Sequence, residues 1–322
     1  MLTLLAWLVA GCLGAIALFF AITWLACQLK QRRVMRTYPV LGRFEVVNGH
    51  RVHVHQFGSG PDLVIAHGAT SHMREAIACF ARGLEGEFRI TLIDRPGEGH
   101  TRPLHRRGES LREQADFLAD TVRALGIDSF VLLGQSFGGS VALAWALHRP
   151  EGLRAMALAA TPAYPWLPHL PWRIKGPAMP VLGPLIAQVV FAWFPQSYFQ
   201  KGYAQVFFPN AVPDGYGDRI GLPLSLLPRN VVADNRQLAR MGRDLSEIGP
   251  HYGKIAIPVE VVNGAEDAAV KPELHAHVLG REIPGARVRL LKGQGHMPHV
   301  GDPEGINDAV RRAARRAAAR EQ

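Results

Sequence analysis

Ser136 lies in the sequence Gly-Gln-Ser-Phe-Gly at residues 134–138, a pattern that can place a serine hydroxyl where it attacks a carbonyl carbon. An apolar run at residues 129–133 precedes it, and an apolar stretch of helix-forming composition follows at residues 139–147. A G-x-S-x-G between a strand and a helix puts the serine at the apex of a sharp, strained turn. The glycines are needed because a Cβ at the flanking positions would collide with the neighbouring strand and helix. The segment therefore predicts a catalytic nucleophile at Ser136.

A serine hydroxyl becomes a strong nucleophile only when a base removes its proton and an acid orients that base. On a strand–turn–helix scaffold the acid follows the serine along the chain and the histidine comes last. The strand predicted at 259–262 leads into the sequence Asn-Gly-Ala-Glu-Asp at residues 263–267. A carboxylate just past a strand end is suitably placed, so we predict Asp267 as the acid, with Glu266 as the alternative.

The predicted general base follows the last strand. The apolar run at residues 288–291 leads into the loop 292–299, which contains two histidines. His296 directly follows Gly295 in this loop, as a mobile general base requires, and His299 competes with it three residues later. We predict His296 as the base.

The negative charge that develops on the attacked carbonyl oxygen needs preorganised N–H donors. One donor is predicted at the backbone N–H of Phe137, immediately after the serine. The other is predicted at the backbone N–H of Ala69, in the loop after the strand at 62–66. The turn at 94–99 lacks the G-x-G-x-x-G pattern of a phosphate-binding loop. We interpret it as a structural support for the loop 67–70.

The elements that must position these residues alternate between strands and helices. An Asn-Gly turn predicts a hairpin between residues 44 and 55. Its His53 and His55 have no further ligand at a suitable spacing and are interpreted as strand-surface histidines rather than a metal site. Strands alternating with helices imply a mostly parallel sheet covered on both faces, with its chemistry at the carboxyl ends of the strands. The remaining strands are predicted at 62–66, 89–93, 129–133, 153–159, 257–262 and 286–291, and helices at 111–125 and 139–147.

The alternation stops between residue 161 and about residue 235. This segment is rich in proline, and we predict that it forms a helical cap inserted into the sheet domain. Most of its aromatic side chains are expected to pack between cap and core, and a minority to line an apolar substrate pocket. They are Trp166, Trp172, Phe191, Trp193, Phe194, Phe199, Phe207 and Phe208.

The N-terminus predicts a membrane anchor. Residues 2–29 are 28 consecutive residues without a charged side chain, more than the about 20 that a spanning helix needs. Lys30, Arg32, Arg33 and Arg36 follow directly. A cleavable signal peptide would carry basic residues before a shorter apolar core. The positive-inside rule places the rest of the chain in the cytoplasm.

The net charge of +9 does not predict a nucleic-acid-binding face. Four of these charges lie in the cluster at 30–36 and a net four at residues 311–321, so the body between them is close to neutral. The C-terminal stretch 310–320 is predicted to be a solvated helix. The three cysteines form neither a disulfide framework nor a zinc-binding spacing.

Together these motifs resemble the α/β-hydrolase fold, in its branch of esterases, haloperoxidases and C–C-bond hydrolases. The resemblance extends over residues 44–310. It implies chemistry on a catalytic triad without a metal or an organic cofactor. Dehalogenases and epoxide hydrolases of the same fold carry aspartate in place of the nucleophilic serine, so Ser136 argues against those two reactions. The segments that carry the resemblance are 67–68, 94–99, 134–139, 264–267 and 295–296.

We therefore predict a transmembrane anchor with its basic flank at 1–36 and an α/β-hydrolase domain at 37–322, with the cap at about 161–235. The predicted reaction is hydrolysis of an ester with an apolar or lipid-like acyl or alcohol part through an acyl-enzyme. The predicted partners are this substrate and the membrane, without nucleic acid. Two alternatives remain open: perhydrolysis or C–C cleavage on the same triad, and ligand binding without turnover.

Overall fold

The computed structural model describes residues 2–165 and 170–320 of the chain. Among these residues, one sheet of eight strands forms the centre, in the order β1-β2-β4-β3-β5-β6-β7-β8. Strand β2 is antiparallel to β1 and β4, whereas the other neighbouring strands are parallel. The predicted mostly parallel sheet is confirmed. The strands are β1 (Arg43–Val47), β2 (His50–Gly58), β3 (Asp62–Ala66), β4 (Arg89–Ile93), β5 (Phe130–Gln135), β6 (Leu153–Ala159), β7 (Val259–Gly264) and β8 (Arg287–Leu291).

The first two strands form the hairpin that the sequence predicts. Asn48 and Gly49 have positive φ angles of 51° and 77°, which suit a tight turn that follows the twist of the paired strands. The central parallel strands are almost wholly apolar. In β3, Leu63 and Ile65 face one side of the sheet and Val64 faces the other, and all three are buried. Such a run is typical of a strand covered on both faces.

Helices cover both faces of the sheet. Three of them, α3 (Leu111–Ala124), α4 (Phe137–His148) and α11 (Ala276–Glu282), bury apolar residues against one face. On the other face lie α2 (Met73–Cys79) and α13 (Pro303–Ala318), which follows the single turn α12 (Pro298–Gly301). The sheet is therefore the middle layer of three, and its loops at the strand ends are the positions left for a site.

Further helices lie between β6 and β7, where the sequence predicts a cap. The helices within residues 172–248 are called the cap below. The last of them, α10, continues to Ile248 because Met241, Leu245 and Ile248 are buried in the same core as α3 and α4. Trp166, one of the aromatic residues predicted in the cap, lies outside the described residues. The helices are α5 (Trp172–Ala178), α6 (Leu182–Trp193), α7 (Gln196–Phe207), α8 (Tyr216–Ile220), α9 (Leu222–Ser225) and α10 (Pro228–Ile248).

The chain begins with the long helix α1 (Leu2–Thr37). Within the described residues it is the one helix that is long and apolar enough by itself to cross a membrane, and its apolar window is not buried. Helices α5 and α6 are long and apolar enough to cross a membrane only when they are taken together as one broken segment, which is bent by 116°. The C-terminal half of α1 packs on the cap, where Cys27 and Val34 are buried beside Phe191 and Phe207.

Helix α13 is not the solvated helix that the sequence predicts at residues 310–320. Its buried apolar residues, among them Val310 and Ala313, pack on the sheet. Two of its arginines pair with the buried carboxylate of Glu260 on β7: Arg312 Nε at 3.0 Å from Oε2 and Arg316 Nη1 at 2.7 Å from Oε1. The prediction was wrong because the partner carboxylate lies about 50 residues away along the chain and meets the helix only in the fold.

Replacing Glu260 with alanine should lower the free energy of unfolding by about 1–3 kcal/mol, because two partly buried guanidinium groups lose their counter-charge. Glu247→Ala is the matched control, since it removes a carboxylate from the exposed pair Arg243–Glu247 and should cost at most about 1 kcal/mol. Thermal unfolding of the full chain in detergent measures both variants. Equal losses would contradict a structural role for the Glu260 cluster.

Candidate active site

Ser136 occupies a strained turn between β5 and α4, as predicted. Its φ and ψ are 50° and −120°, a conformation that costs a non-glycine residue free energy and persists only when the surroundings impose it. The flanking glycines are what allow it. A Cβ on Gly138 would lie 2.1 Å from the Ala66 carbonyl oxygen, and one on Gly134 would lie 2.6 Å from Gly139 Cα. Strands β3 and β5 and helix α4 therefore approach more closely here than any side chain permits.

The structure brings Ser136, His296 and Asp267 into one hydrogen-bonded row. Ser136 Oγ lies 3.1 Å from His296 Nε2, and His296 Nδ1 lies 2.8 Å from Asp267 Oδ2. The Asp267 side chain is fully buried, and that of His296 is 12% exposed. The second carboxylate oxygen of Asp267 accepts the backbone N–H groups of Ala269 and Val270 at 2.9 and 2.8 Å. This row can pass a proton from the hydroxyl to the imidazole while the carboxylate stabilises the imidazolium.

Backbone contacts align the loops that carry Asp267 and His296. A Cβ on Gly264, at the end of β7, would lie 2.1 Å from the carbonyl oxygen of Gly295. The N–H of Glu266 donates to the carbonyl oxygen of Gln294 at 3.0 Å. The two loops are thus joined main chain to main chain, directly beside the carboxylate and the imidazole.

The two alternative residues lie elsewhere. Glu266 is exposed to solvent, although it is the chain neighbour of Asp267. His299 is buried, and its Nε2 lies 3.3 Å from Glu75 Oε1 on α2. Within the described residues, the hydrogen bonds of the row therefore join the first-choice acid and base and not their competitors.

The turn after β4 supports the loop after β3, as the sequence predicts. Arg95 donates from Nε to the His67 carbonyl oxygen at 2.8 Å and from Nη2 to the Gly68 carbonyl oxygen at 2.7 Å. Because the carbonyl and the N–H of a trans peptide point in opposite directions, these bonds turn the N–H of Ala69 away from Arg95. The loop also abuts the residue before the serine, since a Cβ on Gly68 would lie 2.5 Å from Gln135 Oε1.

Arg95 itself is a residue that the motif analysis left without a role. It is fully buried, its Nη1 donates to Gln114 and Gln237, and its guanidinium lies 4.6 Å from the centre of the Phe137 ring. Burial lowers the pKa of Arg95, and the nearby carboxylate of Glu98 opposes that shift. The available signal was an arginine immediately after a predicted strand end, next to the loop it supports.

His53 is not a strand-surface histidine, so that prediction was wrong. Strand β2 lies between β1 and β4, and the segment after β4 contacts it, since the N–H of His53 donates to Thr101 Oγ1 at 2.9 Å. His53 Nδ1 lies 2.6 Å from Asp94 Oδ2. Burial alone would raise the pKa of Asp94, but the hydrogen bond with His53 and the nearby imidazoles outweigh it and hold that pKa well below its usual range. Among the described residues, no three His, Cys, Asp or Glu side chains are grouped so that they could hold a metal ion.

A second buried polar cluster joins the sheet domain to the cap. The carboxylate of Glu75 accepts hydrogen bonds from Ser71 and from Tyr216 of α8, and lies beside His299. Burial on its own raises the pKa of Glu75, but its contacts with His299, Ser71 and Tyr216 outweigh burial and bring the pKa to about 2. The Glu75 carboxylate thus stays charged while the cluster connects α2, α8 and α12. No sequence pattern predicted it, because Glu75 and His299 are 224 residues apart in the chain.

Helix α10 of the cap also contacts the loop after β3. Thr70 Oγ1 donates to Asp234 Oδ2 at 2.7 Å. Burial, together with the adjacent Asp234 carboxylate, raises the pKa of Glu98 well above its usual range. The hydrogen bond between Thr70 and Asp234 therefore joins the cap to the predicted oxyanion loop.

Comparison with known proteins identifies the family. The model of the alpha/beta hydrolase fold family matches residues 61–303, and the chain belongs to that family. The pimeloyl-[acyl-carrier protein] methyl ester esterase of Nitrosomonas europaea is 24% identical over 79% of this chain and 95% of its own. The solved structure of a thermophilic esterase from Thermogutta terrifontis has a TM-score of 0.67 at 22% identity, over 85% of this chain and 98% of that one.

A bacterial membrane phospholipase A of known structure resembles this chain over a greater part of its length. It has a TM-score of 0.63 at 20% identity and covers 97% of this chain and 99% of its own. The family membership indicates that this protein is a hydrolase.

The close approach of helix α4 to strand β3 beside Ser136 can be tested with a pair of glycine substitutions. Gly138→Ala should destabilise the protein by about 1–3 kcal/mol, because the new Cβ overlaps the Ala66 carbonyl. Gly242→Ala is the matched control, since nothing lies within 4 Å of its Cβ position in α10, and it should stabilise by about 0.5–1 kcal/mol. Thermal unfolding in detergent compares them. A neutral Gly138→Ala would contradict the close approach.

Buried histidines predict a loss of stability in mild acid. Burial lowers the pKa of His100 to about 4, although the nearby Asp94 opposes the shift. His100 is therefore neutral in the folded protein but gains a proton on unfolding below about pH 6.5. Its contribution is complete above pH 6.5, and about 3 kcal/mol is lost as the pH falls to 4.

The substitution His100→Phe keeps the ring and removes this titration. Relative to wild type, the variant should become progressively more stable between pH 6.5 and pH 4, as measured by thermal unfolding across that range. The difference at pH 8 is the internal reference, since His100 is neutral there in both states. Parallel stability curves for the two proteins would contradict the neutral buried His100.

Proposed function

We propose that this hydrolase is a membrane-anchored serine esterase that uses Ser136, His296 and Asp267 as its catalytic triad. The observation that carries the proposal is the row from Ser136 Oγ through His296 to Asp267, with distances of 3.1 and 2.8 Å. Its position supports the assignment, since the three residues follow β5, β7 and β8 at the carboxyl edge of the sheet. That edge is where chemistry gathers in sheets of this kind.

The proposed reaction has two halves. Ser136 Oγ attacks the ester carbonyl as His296 Nε2 takes its proton, and Asp267 stabilises the resulting imidazolium. The N–H groups of Phe137 and Ala69 bind the oxyanion, and each contributes on the order of 10²–10³ in turnover. His296 then protonates the leaving alcohol. Water, activated in turn by His296, releases the acid from the acyl-enzyme.

We propose an ester with an apolar acyl or alcohol part as the substrate. The apolar helix α1 and the exposed aromatic residues of the cap, such as Trp193 and Tyr198, support this preference. The names of the similar proteins, an esterase and a membrane phospholipase A, are compatible with it. In this proposal residues 1–36 anchor the enzyme. Residues 37–322 lie in the cytoplasm, because Lys30, Arg32, Arg33 and Arg36 follow the apolar segment.

Labelling with a fluorophosphonate tests the triad directly, since this reagent phosphonylates an activated serine. Wild type should label rapidly, and Ser136→Ala and His296→Ala should not label. Asp267→Asn should label on the order of 10⁴-fold more slowly, because the imidazole loses its orienting charge. The matched controls Glu266→Gln and His299→Gln should label like wild type when folded.

Hydrolysis of p-nitrophenyl esters of increasing chain length, in the same proteins, then tests the substrate class. We expect kcat/KM to rise with acyl length and to disappear with Ser136→Ala. Folded wild-type protein that does not label, or a Ser136→Ala variant that still does, would refute the proposed nucleophile. Labelling without ester turnover would retain the activated serine and refute the esterase assignment.

A further inference from the structure

Helix α1 contacts the cap well inside its own apolar segment. The Phe19 ring stacks on Trp193 with centroids 6.4 Å apart, and Trp193 Nε1 donates to Thr23 Oγ1 at 3.0 Å. About two turns after Thr23, Lys30 Nζ donates to the carbonyl oxygens of Phe191 and Phe194 at 2.6 and 3.2 Å. The C-terminal end of α6 therefore lies beside α1 between Phe19 and Lys30.

The position of that contact can be expressed as a depth. A helix rises about 1.5 Å per residue, so Thr23 lies about 10 Å and Phe19 about 16 Å before Lys30 along the axis. Helix α1 carries no charged side chain up to Leu29, which is 56% exposed, and the first charge is Lys30. If α1 crosses the bilayer, its lipid–water boundary lies near Lys30, and Trp193 lies on the lipid side of it.

The part of the cap at this depth has the surface that such a position requires. Helix α6 contains no charged residue. Around its C-terminal end three aromatic side chains are exposed, Trp193 at 49%, Phe194 at 36% and Tyr198 at 55%, beside the uncharged Pro195 and Ser197. Amphipathic aromatic rings are the side chains enriched where a membrane protein crosses the headgroup region. In water the same surface would be an exposed apolar patch continuous with α1.

Lys30 supplies hydrogen-bond donors to the C-terminal end of α6. The last carbonyl groups of a helix have no partner within the helix, and in lipid no water supplies one. The Lys30 ammonium donates to two such carbonyls at the end of α6, where a cation also interacts favourably with the helix dipole. An isolated charge at the edge of the hydrocarbon region is costly, whereas one bonded to carbonyl oxygens is compensated.

The same region of the cap reaches the site. The end of α7 packs main chain to main chain on the loop of His296, since a Cβ on Gly295 would lie 1.9 Å from the Phe208 carbonyl oxygen. The N–H of Gly295 donates to Asn210 Oδ1 at 3.2 Å. A continuous path of contacts therefore leads from α1 through α6 and α7 to the residue before His296.

We propose that the C-terminal end of α6 and the start of α7 insert into the same leaflet that α1 leaves, so that the cap is a membrane-embedded element and receives substrate from the lipid phase. The occupant of this aromatic face is the bilayer, through its headgroup and upper acyl region. The inference rests on the proposed role of α1 as an anchor, and it goes further because an anchor alone would leave the cap in water.

A fluorophore that reports depth tests the insertion. The full-length protein with Cys12→Ala, which removes the exposed cysteine, carries one new cysteine labelled with a nitrobenzoxadiazole group. Three sites are compared: Phe194→Cys on the cap face, Leu8→Cys in the apolar part of α1, and Arg243→Cys on α10, whose side chain is 81% exposed. Each protein is reconstituted into phosphatidylcholine vesicles that contain a nitroxide-labelled phosphatidylcholine. Retained fluorophosphonate labelling verifies that each variant is folded.

We expect the nitroxide lipid to quench the Leu8 and Phe194 labels severalfold more than the Arg243 label. Quenching at Leu8 but not at Phe194 would overturn the insertion and leave the anchor intact, because α1 would then leave the bilayer before Thr23. Absence of quenching at Leu8 would refute the anchor, and the inference with it. The three sites therefore distinguish failure of the inference from failure of the proposed function.

Discussion

The arrangement of the site depends on one close contact, in which helix α4 approaches strands β3 and β5 with no side chain between them. The contact imposes the left-handed backbone of Ser136, since the helix can begin at Phe137 only if the chain reverses within one residue. A second contact of the same kind, between Gly264 and the carbonyl of Gly295, joins the loops of Asp267 and His296. Two places without room for a Cβ thus set the relative positions of three side chains from distant parts of the chain.

Buried charge orients the loops around this framework. Arg95 is removed from water, and in place of water its guanidinium donates hydrogen bonds to the carbonyl oxygens of His67 and Gly68. The orientation of Arg95 and that of the loop are therefore coupled. Asp94 performs a similar task, accepting the N–H groups of Met73 and His100 while it contacts His53. A buried ion without enough partners is strongly destabilising. These groups therefore tolerate few backbone arrangements, which is useful where donors must be held ready for a reaction.

The cap is connected both to the long apolar helix α1 and to the site. Its α10 holds Thr70 of the loop after β3 through Asp234, its α8 reaches Glu75 through Tyr216, and its α6 packs on α1. An insertion of this kind between β6 and β7 can cover the strand ends without disturbing the sheet, since it replaces a loop and not a strand. It combines buried polar contacts on its inner side with exposed aromatic rings on its outer side.

Local patterns in the sequence determined the strands, the hairpin turn and the glycine-flanked serine, because each depends on neighbours within a few residues. They also narrowed the acid and the base to two candidates each. The tertiary structure brings Asp267 and His296, and not Glu266 and His299, into a hydrogen-bonded row with Ser136, because burial and side-chain direction depend on which loop packs on which. It alone revealed Arg95, the buried Glu75 cluster and the pairing of α13 with Glu260, since their partners are far apart in the chain. Periodicity and turn chemistry are local properties, whereas the compensation of a buried charge is decided only when the chain is folded.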